Sequence, residues 1–235
     1  MHLIAFLVAA AVAVVNAQKP CCAPDKFMSG RSVVWSETDP RHGTRNGEMY
    51  LYGAYDFAAR VFGFYMMNTI GYRTSYSRVI QKFAQNTTWI ILDDLQYCEK
   101  RRMSSMREPS NCLRDNGTYT GSAVIGGPNG VPVDNWKYSC HAHRSGRGCR
   151  GTLHLSVVQE TCFPVGKIFT GQFSMGPGPE MFVVSSGEMM NITLGIPDPE
   201  RWFTVPSYCS DESIDMLSRR PVEMPSLDLL GPLFY

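Results

Sequence analysis

The chain has 235 residues, a formal net charge of +1 and eight cysteines. So even a charge balance excludes a surface built mainly to hold nucleic acid or another polyanion, which needs a clustered excess of cations. The Arg101-Arg102 pair and the basic cluster at 144–150 read as solvated loop charge.

Residues 3–15 form an apolar run that ends in Val15-Asn16-Ala17, the small-residue pattern of a signal-peptidase site. Residues 1–17 are therefore expected to be a signal peptide, although its n-region offers only His2. The run is shorter than the ~20 residues a spanning helix needs, and no later segment supplies a transmembrane helix for the mature chain. All eight cysteines (Cys21, Cys22, Cys98, Cys112, Cys140, Cys149, Cys162 and Cys209) lie beyond the cleavage site, and in an exported chain an even number reads as disulfides. Three sequons, at Asn86, Asn116 and Asn191, fit the same compartment as glycan acceptors.

Residues 18–209 are expected to form a single β domain, because brief segments rich in β-branched and aromatic residues recur between turn-formers. They fall at 31–35, 49–55, 60–67, 76–83, 88–92, 152–158, 167–173, 180–185 and 189–194. This spacing predicts an antiparallel sandwich or partly closed barrel. In the last segment Met190, Ile192 and Leu194 alternate with Asn191 and Thr193, so period-two geometry places the apolar three on a core face and the sequon on the other. Residues 115–135, centred on Gly126-Gly127-Pro128-Asn129-Gly130, read as a turn-rich connection. Beyond Cys209, Ser210 caps a predicted short helix with Asp211 and Glu212 first and Arg219-Arg220 last, stopped by Pro221. Together with the apolar, proline-containing tail it makes up residues 210–235.

No catalytic motif is present. Ser174 lacks the first glycine of a nucleophile elbow, and nothing in the sequence brings His42, His143 or His154 to a nucleophile. His154 alternates with Leu153 and Leu155 and reads as a solvent-facing strand residue. Metal-ligating, phosphate-cradling and dinucleotide fingerprints are absent as well, so the chain is read as a non-enzyme with no required cofactor. Cys140 and Cys149 flank the polar segment 141–148 and read as a local bridge; the competing reading, a metal held with His141 and His143, matches no familiar zinc spacing. Asp93, Asp94 and Asp198 near strand ends read as turn chemistry, with oxygen ligation of calcium as the other use of such residues. Tyr50, Tyr52 and Tyr55, then Phe62, Phe64, Tyr65, Met66 and Met67, then Trp89 supply large, adaptable side chains that suit a core or the lining of a lipid pocket. Tyr52, Phe62, Phe64, Met66 and Trp89 are the candidate pocket residues, with Phe62, Phe64 and Met66 on one face.

Several landmarks resemble the ependymin-related family. They are Cys21-Cys22-Ala23-Pro24, Ile125-Gly126-Gly127-Pro128, Trp136, Cys162-Phe163-Pro164-Val165, Leu194-Gly195-Ile196-Pro197-Asp198-Pro199 and Phe203-Thr204-Val205-Pro206-Ser207-Tyr208-Cys209. The resemblance implies a secreted or lysosomal glycoprotein without catalytic activity. It implies two stacked, curved antiparallel sheets forming a half-barrel with a deep hydrophobic pocket. It also implies that Cys21 or Cys22 bonds Cys162 and that Cys98 bonds Cys209; Cys112 and the spare N-terminal cysteine are left to pair with each other or with a second subunit. A further bridge of vertebrate members has lost both halves here, one near Ile70 and one beyond Cys209.

The expected function is that of a secreted protein binding a lipid or fatty acyl chain between its sheets, with calcium association and homodimerisation suggested by the relatives. The rival is an extracellular-matrix or adhesion glycoprotein with calcium-dependent contacts and no ligand transport.

Overall fold

The computed structural model describes residues 19–41, 43–103, 109–144, 147–175 and 180–209, without the side chains of 141–148 and 174–175. The expected signal peptide, His42, and the helix and tail beyond Cys209 lie outside the described residues. Among the described residues there are eleven strands: β1 (Lys26–Asp39), β2 (Gly43–Asp56), β3 (Val61–Ile70), β4 (Arg73–Lys82), β5 (Thr87–Leu92), β6 (Tyr97–Arg102), β7 (Thr118–Ile125), β8 (Val131–Arg144), β9 (Arg147–Val158), β10 (Pro164–Met175) and β11 (Met181–Leu194). One described α-helix, α1 (Pro199–Phe203), follows them.

The antiparallel all-β architecture is as expected, and its hydrogen bonding is continuous through one sheet. The strand order is β6-β5-β4-β3-β2-β1-β11-β10-β9-β8-β7. The chain meanders outward from β1 to the β6 edge, crosses to the β7 edge, and meanders back until β11 closes against β1. β6 and β7 are the two edges, so the sheet is open.

Side chains of alternate residues define two faces. The face we call inner carries Phe27, Arg31, Val33 and Trp35 of β1, Met49, Leu51 and Tyr55 of β2, Phe62, Phe64 and Met66 of β3, and Val79 of β4. It continues through Val183 of β11, Lys167 and Phe169 of β10, Leu153 and Leu155 of β9, and Trp136 and Tyr138 of β8. A flat sheet would leave this face wet. Yet Met49, Val79 and Val183 are fully buried, and one apolar cluster joins Tyr55 and Phe62 to Trp136 and Leu155. The sheet therefore curls so that its inner face covers itself, as right-handed strand twist favours in wide antiparallel sheets. Glycine permits the tightest approaches. Trp35 lies over Gly47, and the Phe169 ring lies over Gly151 and Gly171, where a Cβ would strike ring atoms.

The opposite, outer face is covered over β2 to β6 by the C-terminal segment. Trp202 packs with Met28 and Ala54, while Val205 and Cys209 pack on Ile80, Trp89, Ile91 and Cys98. The Trp202 ring meets Tyr52 and Tyr65 edge-on at 5.7 and 5.6 Å, and its carbonyl sits where a side chain on Gly63 would be. Arg78 Nη2 donates to Asp93 Oδ1 at 3.4 Å and Tyr208 Oη donates to the same atom at 2.7 Å. Asp93 thus serves as a tether for this segment.

Two sequence expectations are corrected. Residues 115–135 are not a connection: β7 and β8 form a hairpin there, and only the turn between them uses the left-handed glycines Gly126 and Gly127. The alternation through Met190, Ile192 and Leu194 breaks at Asn191, whose φ is 52°, where the β1–β11 register shifts. The bulge turns Met190 and Leu194 to solvent (39% and 68% exposed) while Met189 and Ile192 pack on the inner cluster. The segments at 180–185 and 189–194 are one strand, continuous through Ser185, Ser186 and Gly187.

Four disulfides join Cys21 to Cys162, Cys22 to Cys112, Cys98 to Cys209 and Cys140 to Cys149. The N-terminal segment is also laced to the β6–β7 crossing. Ala23 N donates to Asn111 O, and Leu113 N to Cys21 O, both at 2.8 Å. That lacing brings Ala23 and Leu113 into the inner cluster.

Candidate functional site

The five candidate pocket residues divide between the faces. Phe62, Phe64 and Met66 are buried on the inner face. Tyr52 and Trp89 lie on the outer face: Tyr52 against Trp202, and Trp89 beneath the C-terminal segment with Lys100 Nζ 5.2 Å above its ring. Strand period alone left that assignment open. The pairing of Trp89 with Ile80, and of Ile90 with Val79, decides it.

The inner face has two apolar regions. One gathers Val33, Trp35, Met49, Leu51, Phe64, Met66 and Val79. The other centres on Phe27, whose ring stacks on Tyr55 at 5.1 Å and meets Phe163 edge-on at 5.0 Å. Sequence reasoning missed the polar groups between them, because Arg31 and Lys167 lie far apart in the chain and neither belongs to a motif. Register brings them together. Arg31 pairs across β1–β11 with Met189, and Lys167 pairs across β10–β11 with Gly187, so the two cations flank β11 on one face.

A small cavity of about 10 Å³, room for about one water, is bordered by Arg31, Lys167, Glu188, Leu155, Pro164, Met189 and two glycines, Gly166 and Gly187. Burial dominates the electrostatics. It lowers Arg31 from its usual value, opposed by the Tyr55 phenol. It pushes Lys167 down to about 7, with the Arg31 charge adding to the effect.

The sign of the linkage for Lys167 follows. A base whose folded pKa lies below its unfolded value binds fewer protons when native, between about 7 and 10.5, so stability rises with pH across that interval. We expect the unliganded protein to melt at a higher temperature at pH 9 than at pH 6.5, and the Lys167→Met variant to lose this increment. Thermal denaturation at the two pH values checks it. A Lys167→Met profile parallel to that of the parent would show that Lys167 is not the group responsible.

Other predicted residues take structural places. Asp94 is exposed and Asp198 precedes α1 at a left-handed φ of 51°. Asp93 holds Tyr208 and Arg78, as described above. His154 faces solvent. Cys140 and Cys149 join the β8–β9 hairpin, and the side chains of His141, His143 and Ser174 lie outside the described residues. The sequon asparagines Asn86, Asn116 and Asn191 are all exposed. Among the described residues no three His, Cys, Asp or Glu side chains converge, and no helix is long and apolar enough to cross a membrane.

Together these features define a disulfide-linked all-β protein whose curved sheet encloses an aromatic and methionine-rich face. The family model for ependymin matches residues 72–209, more than half of the chain. The development-specific protein LVN1.2 of Lytechinus variegatus is 32% identical over 167 residues, which is 69% of this chain and 87% of that protein. The chain belongs to the ependymin family. Among solved structures, a LolA superfamily protein from Nitrosomonas europaea matches 75% of this chain and 89% of its own, with 10% identity and a TM-score of 0.28.

Proposed function

We propose that this protein is a secreted glycoprotein that binds a hydrophobic ligand, a lipid or fatty acyl chain, against the inner face of its curved sheet. The carrying observation is the composition of that face. Phe62, Phe64, Met66, Trp35 and Met49 lie together on adjacent strands. Aromatic and thioether side chains offer broad contact area and repack around a flexible chain. Binding would draw on apolar burial at about 25 cal/mol per Å². Four disulfides support an oxidising compartment, and the exposure of all three sequon asparagines supports glycosylation there. Release of residues 1–17 and assembly as a homodimer belong to the same reading, as does calcium association.

Native mass spectrometry of the deglycosylated protein secreted from eukaryotic cells tests it. The expected spectrum carries an adduct in the mass range of a lipid, and organic extraction removes that adduct. A clean apo mass, with no uptake of fluorescent fatty acid by the purified protein, would sink the ligand-binding reading.

A further inference from the structure

Among the described residues the outer face is covered only in part. Trp202 and the segment after it lie over β2 to β6, yet beside Trp202 the sheet keeps a run of large side chains open to water. Register sets them in rows. Tyr52 pairs with Tyr65, and in the next row Tyr50 pairs with Met67 and Met67 with Tyr76. Tyr50, Tyr52, Tyr65 and Tyr76 are 43, 44, 38 and 65% exposed. An exposed aromatic face of this extent marks a place where something docks.

The row of Tyr52 continues in the other direction through Gly30 to Met190, because Gly30 pairs with both. A Cβ on Gly30 would lie 3.0 Å from Met190 Cγ, so the methionine fills the space over the glycine, between β11 and β2. Met190 is followed by Asn191, exposed at the bulge of β11 with a φ of 52°. Asn191 is the acceptor of the sequon Asn191-Ile192-Thr193. Two strand spacings, about 10 Å, separate β11 from β2. That span is within reach of the N-acetylglucosamine pair at the base of an N-linked glycan.

We propose that the N-linked glycan of Asn191 occupies this tyrosine face, its first sugars lying over Met190 and Gly30 against Tyr52 and Tyr50. This rests on the glycoprotein part of the reading above, and it gives that glycan a binding site on its own protein. The chemistry of the face suits a sugar. A tyrosine ring is apolar on its faces and polar at its tip, so it takes the C–H face of a pyranose while its hydroxyl bonds the sugar oxygens. Ser32 and Glu188 lie in the row of Tyr50 and add polar groups at its margin. Covalent attachment supplies the rest: a group on a short tether meets the face at an effective concentration of about millimolar, so contacts too weak to hold a free sugar suffice. The bulge sets the acceptor outside the strict alternation of faces, where a branch can turn back over the outer one.

Tyrosine nitration of the folded, secreted protein, mapped by mass spectrometry, provides the test. Two variants remove the glycan: Thr193→Ala breaks the sequon, and Asn191→Gly removes the acceptor while suiting the left-handed backbone. Either is expected to raise nitration of Tyr50 and Tyr52 severalfold and to leave Tyr72, fully exposed in the β3–β4 turn, unchanged. Asn86→Gly, which removes the sequon in the β4–β5 turn, should change none of the three. Loss of the Asn191 glycan should also lower Tm by about 2–4 °C, and that loss should shrink to near zero in a Tyr52→Ser background. Should both acceptor variants fail to fold, the parent decides: endoglycosidase trimming of its high-mannose form to a single sugar must raise Tyr50 nitration. An Asn191 glycan whose removal changes neither nitration nor Tm would overturn the packed glycan while leaving glycosylation standing. An unmodified Asn191 in the secreted protein would remove glycosylation at this sequon and the inference with it. Neither result bears on lipid binding at the inner face.

Discussion

Replacing Cys98 and Cys209 together by serine should lower the melting temperature by about 10–15 °C and undock the C-terminal segment. The bridge joins residues 111 apart in sequence, and closing a loop of that length is worth about 4 to 5 kcal/mol in the chain-entropy treatment. For a chain of this size each kcal/mol shifts Tm by about 2–4 °C. The loss should exceed the entropic value in its structural consequences, because the bridge anchors a layer. Trp89, Ile80 and Ile91 are covered by Val205 and Cys209, and Trp202 fills the outer face beside Ala54. Without the bridge, the remaining tethers include the packing of Trp202 and Val205, the Asp93–Tyr208 hydrogen bond and the hydrogen bond from Arg78 Nη1 to the Arg201 carbonyl. Tryptophan emission should therefore shift to the red before the global transition. The contrasting variant is the Cys140→Ser, Cys149→Ser pair, which opens a loop of sequence separation 9 within a hairpin already held by its ladder. The shorter loop predicts about 2 to 3 kcal/mol. Equal losses for the two double variants would contradict the anchoring role given to Cys98–Cys209.

Phe27→Ala is expected to cost about 3–5 kcal/mol, the range for removing a large aromatic from a packed core. Phe27 is fully buried on the inner face of β1, the central strand of the sheet. Its ring is shared by Tyr55, Phe57 and Phe163, with centroids at 5.1, 6.1 and 5.0 Å, so one deletion removes three ring contacts that contribute beyond area. Phe163 follows Cys162, whose bridge to Cys21 holds the N-terminal segment against the same cluster. Little collapse is available to fill the space, because the bridge and the β1–β2 ladder fix its walls. Urea denaturation should show a lower midpoint for Phe27→Ala, with Phe27→Leu losing about 1.5 kcal/mol and the exposed Tyr72→Ala close to neutral. A Phe27→Ala midpoint matching that of Tyr72→Ala would deny this cluster its place at the centre of the fold.

The strands that sequence reasoning found and those it missed differ in a physical way. The segments at 49–55 and 60–67 carry dense aromatic and methionine alternation because they lie well inside the sheet, with one side buried on the inner face. β6 and β7 escaped because they are the edges. Tyr97–Arg102 is mostly charged, and Thr118–Ile125 is exposed along nearly its whole length, so neither shows a core period. Charge and polarity on an edge discourage pairing with another chain, and the same property hides the strand from a hydrophobic pattern. β8 was obscured by its neighbours: Pro132 and the glycine-rich turn before it read as loop, although proline is tolerated at the start of a strand beside an edge. The bulge at Asn191 is a positive-φ residue that period-two reasoning cannot register.

The amino-acid sequence by itself determined the class of the protein. An even set of cysteines, short alternating strands and the ordered landmarks from Cys162 to Cys209 define a disulfide-linked β chain of the ependymin family, since each is a local property that period and spacing record. Tertiary structure decided which face each residue serves. Tyr52 and Trp89 went to the outer face under the C-terminal segment, while Phe62, Phe64 and Met66 went to the inner one. It also decided that Arg31 and Lys167, 136 residues apart in sequence, stand on either side of Gly187. The reason is register: a strand's faces are fixed by which partner it hydrogen-bonds and at what offset, and that information resides in the closure of β11 on β1, not in either strand alone.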